Sequence, residues 1–403
     1  MDEALQRYRA LLLPRTELLG RLGRIRERLR QASMDGLLLL QSVDLYYFSG
    51  TLQDGILWIP TEGEPVLLVR RHPERARNES PLAEVRPLRD RKTLIQVTGP
   101  LQGMRIGLEL DVLPAREYLQ MREILPGVRF EDATPLLREV RQIKSPLEIE
   151  WLREAARREA RVYARIPLWL REGLRELEFA AEIERALRLE EHQGLVRFRR
   201  WNQELFFGPV VSGPSACYPT CIDSPVGGLG LCPAMPHGCG TRRIRRNEPV
   251  LVDLVFGYCG YCVDKARTYS LGDLPAEGRE AYQLCRRIQD EAVSLLKPGA
   301  RCADIYEQVM GPLEGHRFRP HLMGTGRNQV RFLAHGVGLE LDEWPVLSAR
   351  SEACLAPGMV LALEPKIFLP GLGGIGLENC YLITEKEPEK LTDFPDDLVV
   401  LDA

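Results

Sequence analysis

Residues 250–264 read Val250-Leu-Val-Asp253-Leu-Val-Phe-Gly257-Tyr-Cys-Gly260-Tyr-Cys-Val-Asp264. Two apolar runs rich in β-branched residues flank a turn bracketed by Gly257 and Gly260, the pattern of a buried antiparallel hairpin. The aspartates are eleven apart, and their midpoint falls between Tyr258 and Cys259. A symmetric hairpin places Asp253 directly across from Asp264, with Cβ atoms about 5 Å apart. Like charges facing each other in an apolar sheet are costly unless a cation or a shared proton lies between them.

A second acid pair repeats the arrangement. Glu364 ends Val360-Leu-Ala-Leu-Glu364-Pro365, and Glu378 sits in Gly376-Leu-Glu378-Asn-Cys-Tyr-Leu-Ile. A Gly-rich turn over 370–376 joins the two expected strands, 359–368 and 376–384. His335, in Ala334-His335-Gly336-Val337-Gly338-Leu339, adds one nitrogen donor. A single buried acid reads as a hydrogen-bonded core group, and a lone His in a Gly-rich strand as structural. Four acids paired twice beside a histidine read as a metal site. Four carboxylates balance two divalent cations, and an oxygen-rich set with one imidazole suits Mn²⁺, Fe²⁺, Co²⁺ or Zn²⁺. Two such ions can hold a hydroxide and clamp a carbonyl oxygen.

Each acid pair follows helices. Helical periodicity covers 146–169 and 177–192 before the strand pair 249–256 and 260–270, and covers 277–296 and 303–315 before the second pair. This repetition predicts two similar halves packed face to face. Ser145 before Pro146, with Glu148 in the first turn, marks a helix start and a domain boundary. Upstream, residues 15–140 alternate between helix (18–32, 115–125) and strand (36–40, 56–60, 65–69, 105–110), and Tyr46, Tyr47 and Phe48 read as buried strand. That alternation indicates an α/β layer domain. The expected fold class is α/β (α+β), with domains over 1–142 and 143–403.

Composition narrows the function. At 403 residues, 44% hydrophobic and with a formal net charge of −3, the chain has material for two cores and no basic excess for nucleic acid. No apolar run approaches the roughly 20 residues that span a membrane. Residues 1–10 lack the apolar centre of a signal peptide, so a cytoplasmic protein with reduced thiols is expected. The spacing of Cys217, Cys221, Cys232 and Cys239 lacks the paired knuckles of zinc sites. Cys259 and Cys262 fall on the hairpin rather than at a helix start, and the ten cysteines read as small buried hydrophobes. The segment 197–208 mixes Arg with aromatics. It reads as a pocket-lining strand whose arginines meet a substrate carboxylate rather than as a nucleic-acid groove.

The order Asp253, Asp264, His335-Gly-x-Gly-Leu, Glu364-Pro, Glu378 resembles the creatinase/prolidase/aminopeptidase P family, the "pita-bread" metallopeptidases. The resemblance spans nearly the whole chain, with Arg141-Gln-Ile-Lys-Ser-Pro-Leu-Glu-Ile similar to that family's entry into its catalytic domain. It implies a creatinase-like N-terminal α/β domain followed by a pita-bread domain of two pseudo-symmetric helix-plus-antiparallel-hairpin halves. It further implies a homodimer acting on short peptides, of the Xaa-Pro dipeptidase or aminopeptidase P type, with two divalent ions, Mn²⁺ foremost. Asp253 would bind one ion, His335 and Glu364 the other, and Asp264 and Glu378 both. A bridging hydroxide would attack the scissile carbonyl while Glu364 serves as general base and then acid.

The surroundings depart from the family pattern. His237, sixteen residues before Asp253, is a candidate substrate-binding histidine or a loop neighbour. Asp342 stands where the family has a second histidine. It is a candidate to receive a cationic group, or a plain loop carboxylate. Arg331 replaces another histidine, and Gly376 stands where many Xaa-Pro enzymes carry arginine. These changes keep open an alternative, a C–N hydrolase or lyase acting on a non-peptide small molecule. A non-catalytic binding module would have lost the five ligands.

Overall fold

Six short strands, β1 (Gly36–Leu39), β2 (Gly55–Pro60), β3 (Val66–Val69), β4 (Glu84–Pro87), β5 (Arg105–Leu108) and β6 (Arg129–Asp132), form one mixed sheet in the order β4-β3-β2-β1-β5-β6. The computed structural model describes residues 2–402 and divides into two compact units, one ending at Arg141 and one beginning at Gln142. In the first unit, Leu38, Ile56, Trp58, Leu68 and Ile106 from the sheet pack against Leu94, Met121 and Leu125 from helices. Residues 61–65 join antiparallel β2 and β3. Residues 46–48 are helical, within Ser42–Ser49, rather than strand. The Gln41 side chain accepts the Val43 and Asp44 amides, and Gly50 at φ +76° ends the helix. These caps outweigh the β-propensity of Tyr-Tyr-Phe.

The second unit opens with the helix Pro146–Tyr163, whose Ser145–Glu148 capping box is formed, and continues with the helix Glu176–Leu189. Strands β7 (Val210–Ser212), β8 (Pro249–Tyr258) and β9 (Tyr261–Leu271) follow. After the helices Ala276–Leu295 and Cys302–Met310 come β10 (Ala334–Gly336), β11 (Glu343–Leu347), β12 (Val360–Leu363), β13 (Lys366–Leu369), β14 (Gly373–Gly376), β15 (Asn379–Leu382), β16 (Glu389–Lys390) and β17 (Val399–Leu401). One sheet runs β17-β9-β8-β7, a second β11-β10-β12-β15-β16, and β13 pairs with β14 alone. Helices followed by antiparallel strand pairs occur twice, as the sequence pattern predicts.

Two expected registers change. The β8–β9 turn is the two-residue pair Cys259-Gly260, at φ +50° and +90°, as a type I′ turn demands. A turn centred one residue earlier would force positive φ on Tyr258 as well, which bulky L-residues avoid. Asp253 therefore pairs with Ala266, and Asp264 with Val255. The aspartates are diagonal neighbours on one face, not direct partners. The second hairpin is not one continuous strand pair but two short ones, β12 with β15 and β13 with β14. Pro365, which has no amide to donate, lies at the break. The turn is also shorter than 370–376, because Gly373–Gly376 is strand. Both segments keep one register, so Glu364 and Glu378 lie across from each other at the interruption.

Candidate metal centre

Asp253 on β8, Asp264 on β9, His335 on β10, Glu364 between β12 and β13, and Glu378 between β14 and β15 all line a single cleft. The four carboxylates are buried. His335 Nε2 lies 3.6 Å from Glu364 Oε1 and 3.9 Å from Asp264 Oδ2. Its Nδ1 is 3.1 Å from the Gly336 carbonyl oxygen. A carbonyl only accepts, so Nδ1 is the donor in this contact, and Nε2 faces the acids. Donor atoms of Asp264, His335 and Glu378 lie within 4.8 Å of one another. Asp264 Oδ1 and Glu378 Oε1 are buried with no hydrogen-bond partner, a costly state that a bound cation would relieve. This donor set fits a divalent metal. A Cβ on Gly338 would sit 2.6 Å from the Glu343 carboxylate, which also lines the cleft and is ion-paired with Lys144 at 3.1 Å.

Sequence reasoning missed one member of the cluster. Lys366 is 1% exposed, and its Nζ lies 2.9 Å from Asp253 Oδ2, 2.7 Å from Glu364 Oε2 and 2.5 Å from Glu378 Oε2. No sequence signal placed it there, because the strand is interrupted at Pro365 between it and Glu364.

Burial pushes every acid of the cluster up: Asp253 to about 6, Glu364 to about 7, and Asp264 and Glu378 in the same direction. Lys366 opposes that rise, while neighbouring carboxylates add to it. Burial alone would lower the Lys366 ammonium, but the surrounding carboxylates outweigh it and hold its pKa well above the ordinary value.

His237 lines the same cleft. Its Nδ1 is 2.8 Å from Thr220 Oγ1, while its buried Nε2 has no partner. Burial lowers its pKa to about 4, so the ring is neutral. Asp342 also lines the cleft, but its oxygens accept the backbone amides of Arg199 and Arg200 at 2.8 and 3.1 Å. It tethers that loop. Residues 197–208 contribute Phe198, Arg200, Gln203 and Leu205 to the lining, yet they form an irregular loop carrying the single bridge Val196↔Leu205, not a strand. Arg331 is exposed. All ten cysteines are free, none belongs to the metal-capable group, and burial raises the Cys262 thiol of the C-x-x-C.

Residues 150–385 match the profile of Metallopeptidase family M24, and residues 21–143 that of the Creatinase/Prolidase N-terminal domain. The chain is 28% identical to the "Probable dipeptidase PepE" of Mycobacterium tuberculosis, covering 92% of this chain and 93% of that protein. It is 27% identical to the Xaa-Pro dipeptidase of Pyrococcus furiosus, covering 92% and 97%. Among solved structures it superposes on the dipeptidase PepE of Mycobacterium ulcerans with a TM-score of 0.80 at 27% identity, covering 96% of this chain and 99% of that one. The prolidase of Pyrococcus horikoshii gives a TM-score of 0.78 at 25% identity, covering 94% and 100%.

Proposed function

This chain belongs to metallopeptidase family M24, and from that premise we propose a peptidase of the Xaa-Pro dipeptidase or aminopeptidase P type whose metal ligands are drawn from Asp253, Asp264, His335, Glu364 and Glu378. One observation carries the ligand assignment: the unpartnered oxygens of Asp264 and Glu378 share a buried cluster with the free Nε2 of His335. A divalent ion, Mn²⁺ ahead of Co²⁺, Zn²⁺ or Fe²⁺, would supply Lewis acidity and lower the pKa of water.

The chain's own groups account for orientation and proton movement. Lys366 Nζ donates to Glu364 Oε2, and the Glu364 carboxylate would take up a proton and deliver it to the leaving nitrogen. The unpartnered Nε2 of His237 is available to the substrate's reacting oxygen. Arg200, paired with Asp223 at the cleft, offers a guanidinium to a peptide carboxylate. Phe198, Leu205, Ile222 and Phe332 form an apolar wall suited to a proline ring. Asp342 acts in this reading through the loop it tethers. The homodimer and the cytoplasmic location implied by the resemblance belong to the same proposal. Among the described residues no helix is long and apolar enough to cross a membrane.

The test is turnover of Xaa-Pro dipeptides and longer Xaa-Pro-starting peptides by Mn²⁺-loaded protein, with Glu364→Gln as the blank. The expected result is cleavage that falls at least about 100-fold in the variant at unchanged Tm. Undiminished activity would remove Glu364 from its role. The glycine at 376, where the resemblance expects an arginine, favours a second reading, a small amidino or acyl compound as substrate. Turnover of such a compound without peptide cleavage would select it.

A further inference from the structure

We propose that Lys366 is a resident cation of this site: its ammonium occupies oxygens of Asp253 and Glu378 that the Asp253-side ion would need, and each chain binds a single divalent ion on the His335 side. The inference rests on the metal-dependent reading and departs from the two-ion arrangement that the resemblance implies.

The oxygens divide into two sets. Lys366 Nζ takes Asp253 Oδ2, Glu364 Oε2 and Glu378 Oε2. The other oxygens of the two glutamates are left for a different partner: Glu378 Oε1 has none, and Glu364 Oε1 faces His335 Nε2 at 3.6 Å. Asp264, which Lys366 does not touch with a hydrogen bond, keeps Oδ1 unpartnered and Oδ2 3.9 Å from the same ring nitrogen. One side of the cluster is thus filled by an ammonium, and the other is lined with open donors.

The lysine is built in rather than swung in from solvent. It begins β13, is 1% exposed, and pairs with Gly376 of β14. A Cβ on Gly376 would lie 2.5 Å from the Pro365 carbonyl oxygen and 2.8 Å from both Cα and Cγ of Lys366, so the strand pair leaves no room for a side chain at 376 beside the lysine.

Space points the same way. A second ion about 2.0–2.2 Å from the oxygens that Lys366 already holds would overlap its ammonium.

The experiment is metal stoichiometry by elemental analysis after Mn²⁺ loading and desalting, with the electron paramagnetic resonance spectrum of the same samples. The wild-type chain should carry one Mn²⁺ showing the resolved hyperfine pattern of an isolated ion. Lys366→Gly, checked for folding by circular dichroism, should carry two with an exchange-coupled spectrum. Two coupled ions in the wild type overturn the inference, as does a folded Lys366→Gly that still holds one. No ion in the wild type overturns the metal-dependent reading itself, a distinct outcome. If Lys366→Gly does not fold, the wild-type stoichiometry and spectrum decide alone.

Discussion

The His192 ring makes both of its hydrogen bonds as a neutral imidazole. Its Nε2 is 3.0 Å from the Val255 carbonyl oxygen, and its Nδ1 accepts the Gly194 amide at 2.8 Å. A second proton would break the Gly194 bond and place a charge beside the rings of Phe207 and Phe256. Burial accordingly lowers its pKa from 6.5 to about 4. Between those values the unfolded chain binds more protons than the folded one, so stability is present above pH 6.5 and is lost as pH falls toward 4. The loss amounts to up to about 3 kcal/mol. Urea unfolding of wild type and His192→Gln at pH 7 and pH 4.5 should show a smaller acid-induced loss in the variant, and equal losses would assign the effect elsewhere. Lys366 and His237 mark how far single residues were readable. Four acids and a histidine in apolar strands announce themselves by their cost. A lysine two residues from one of them does not, because only the fold shows which way its stem runs. His237, in a Pro/Gly-rich loop, carried no periodicity from which its place at the cleft could be derived.

At the scale of the element, the β8–β9 hairpin sets the relation of the two aspartates. Its turn needs positive φ at both Cys259 and Gly260. Gly260→Val puts a β-branched side chain at φ +90° and should cost about 1–2 kcal/mol or more. Cys259→Gly should relieve a comparable strain and leave the melting temperature unchanged or higher. Thermal melts of the two variants decide this, and a Gly260→Val protein as stable as wild type would mean the turn has been rebuilt. The existence of the hairpin and its burial were legible from β-branched runs on either side of glycines. Its register was not, because both Gly257 and Gly260 could have belonged to the turn. Gly257 is strand, and its missing side chain is occupied by Gln193, which a Cβ would approach to 2.5 Å. The same limit applied to the second hairpin, where the apolar runs were plain but Pro365 divided them.

For the molecule as a whole, metal binding at the proposed cluster would couple to stability. A ligand that binds only the folded state stabilises it by about 2.7 kcal/mol at a hundred times its Kd, which for a unit of this size is a shift of about 5–10 °C. Differential scanning calorimetry with and without saturating Mn²⁺ should show that rise in the transition of residues 142–403, reversed by chelator and absent for residues 2–141. Identical transitions would mean the cluster holds no ion. By itself, the sequence determined the α/β class and the repetition of helices and hairpin, and it marked five candidate donors, because hydrophobic periodicity and the expense of burying charge are written in local order. Tertiary structure alone decided that Asp253 and Asp264 sit diagonally, that Tyr46 to Phe48 are helical, and that Lys366 lies among the carboxylates opposite a glycine. Turn type, capping and the space across a strand pair depend on residues that meet only when the chain has folded.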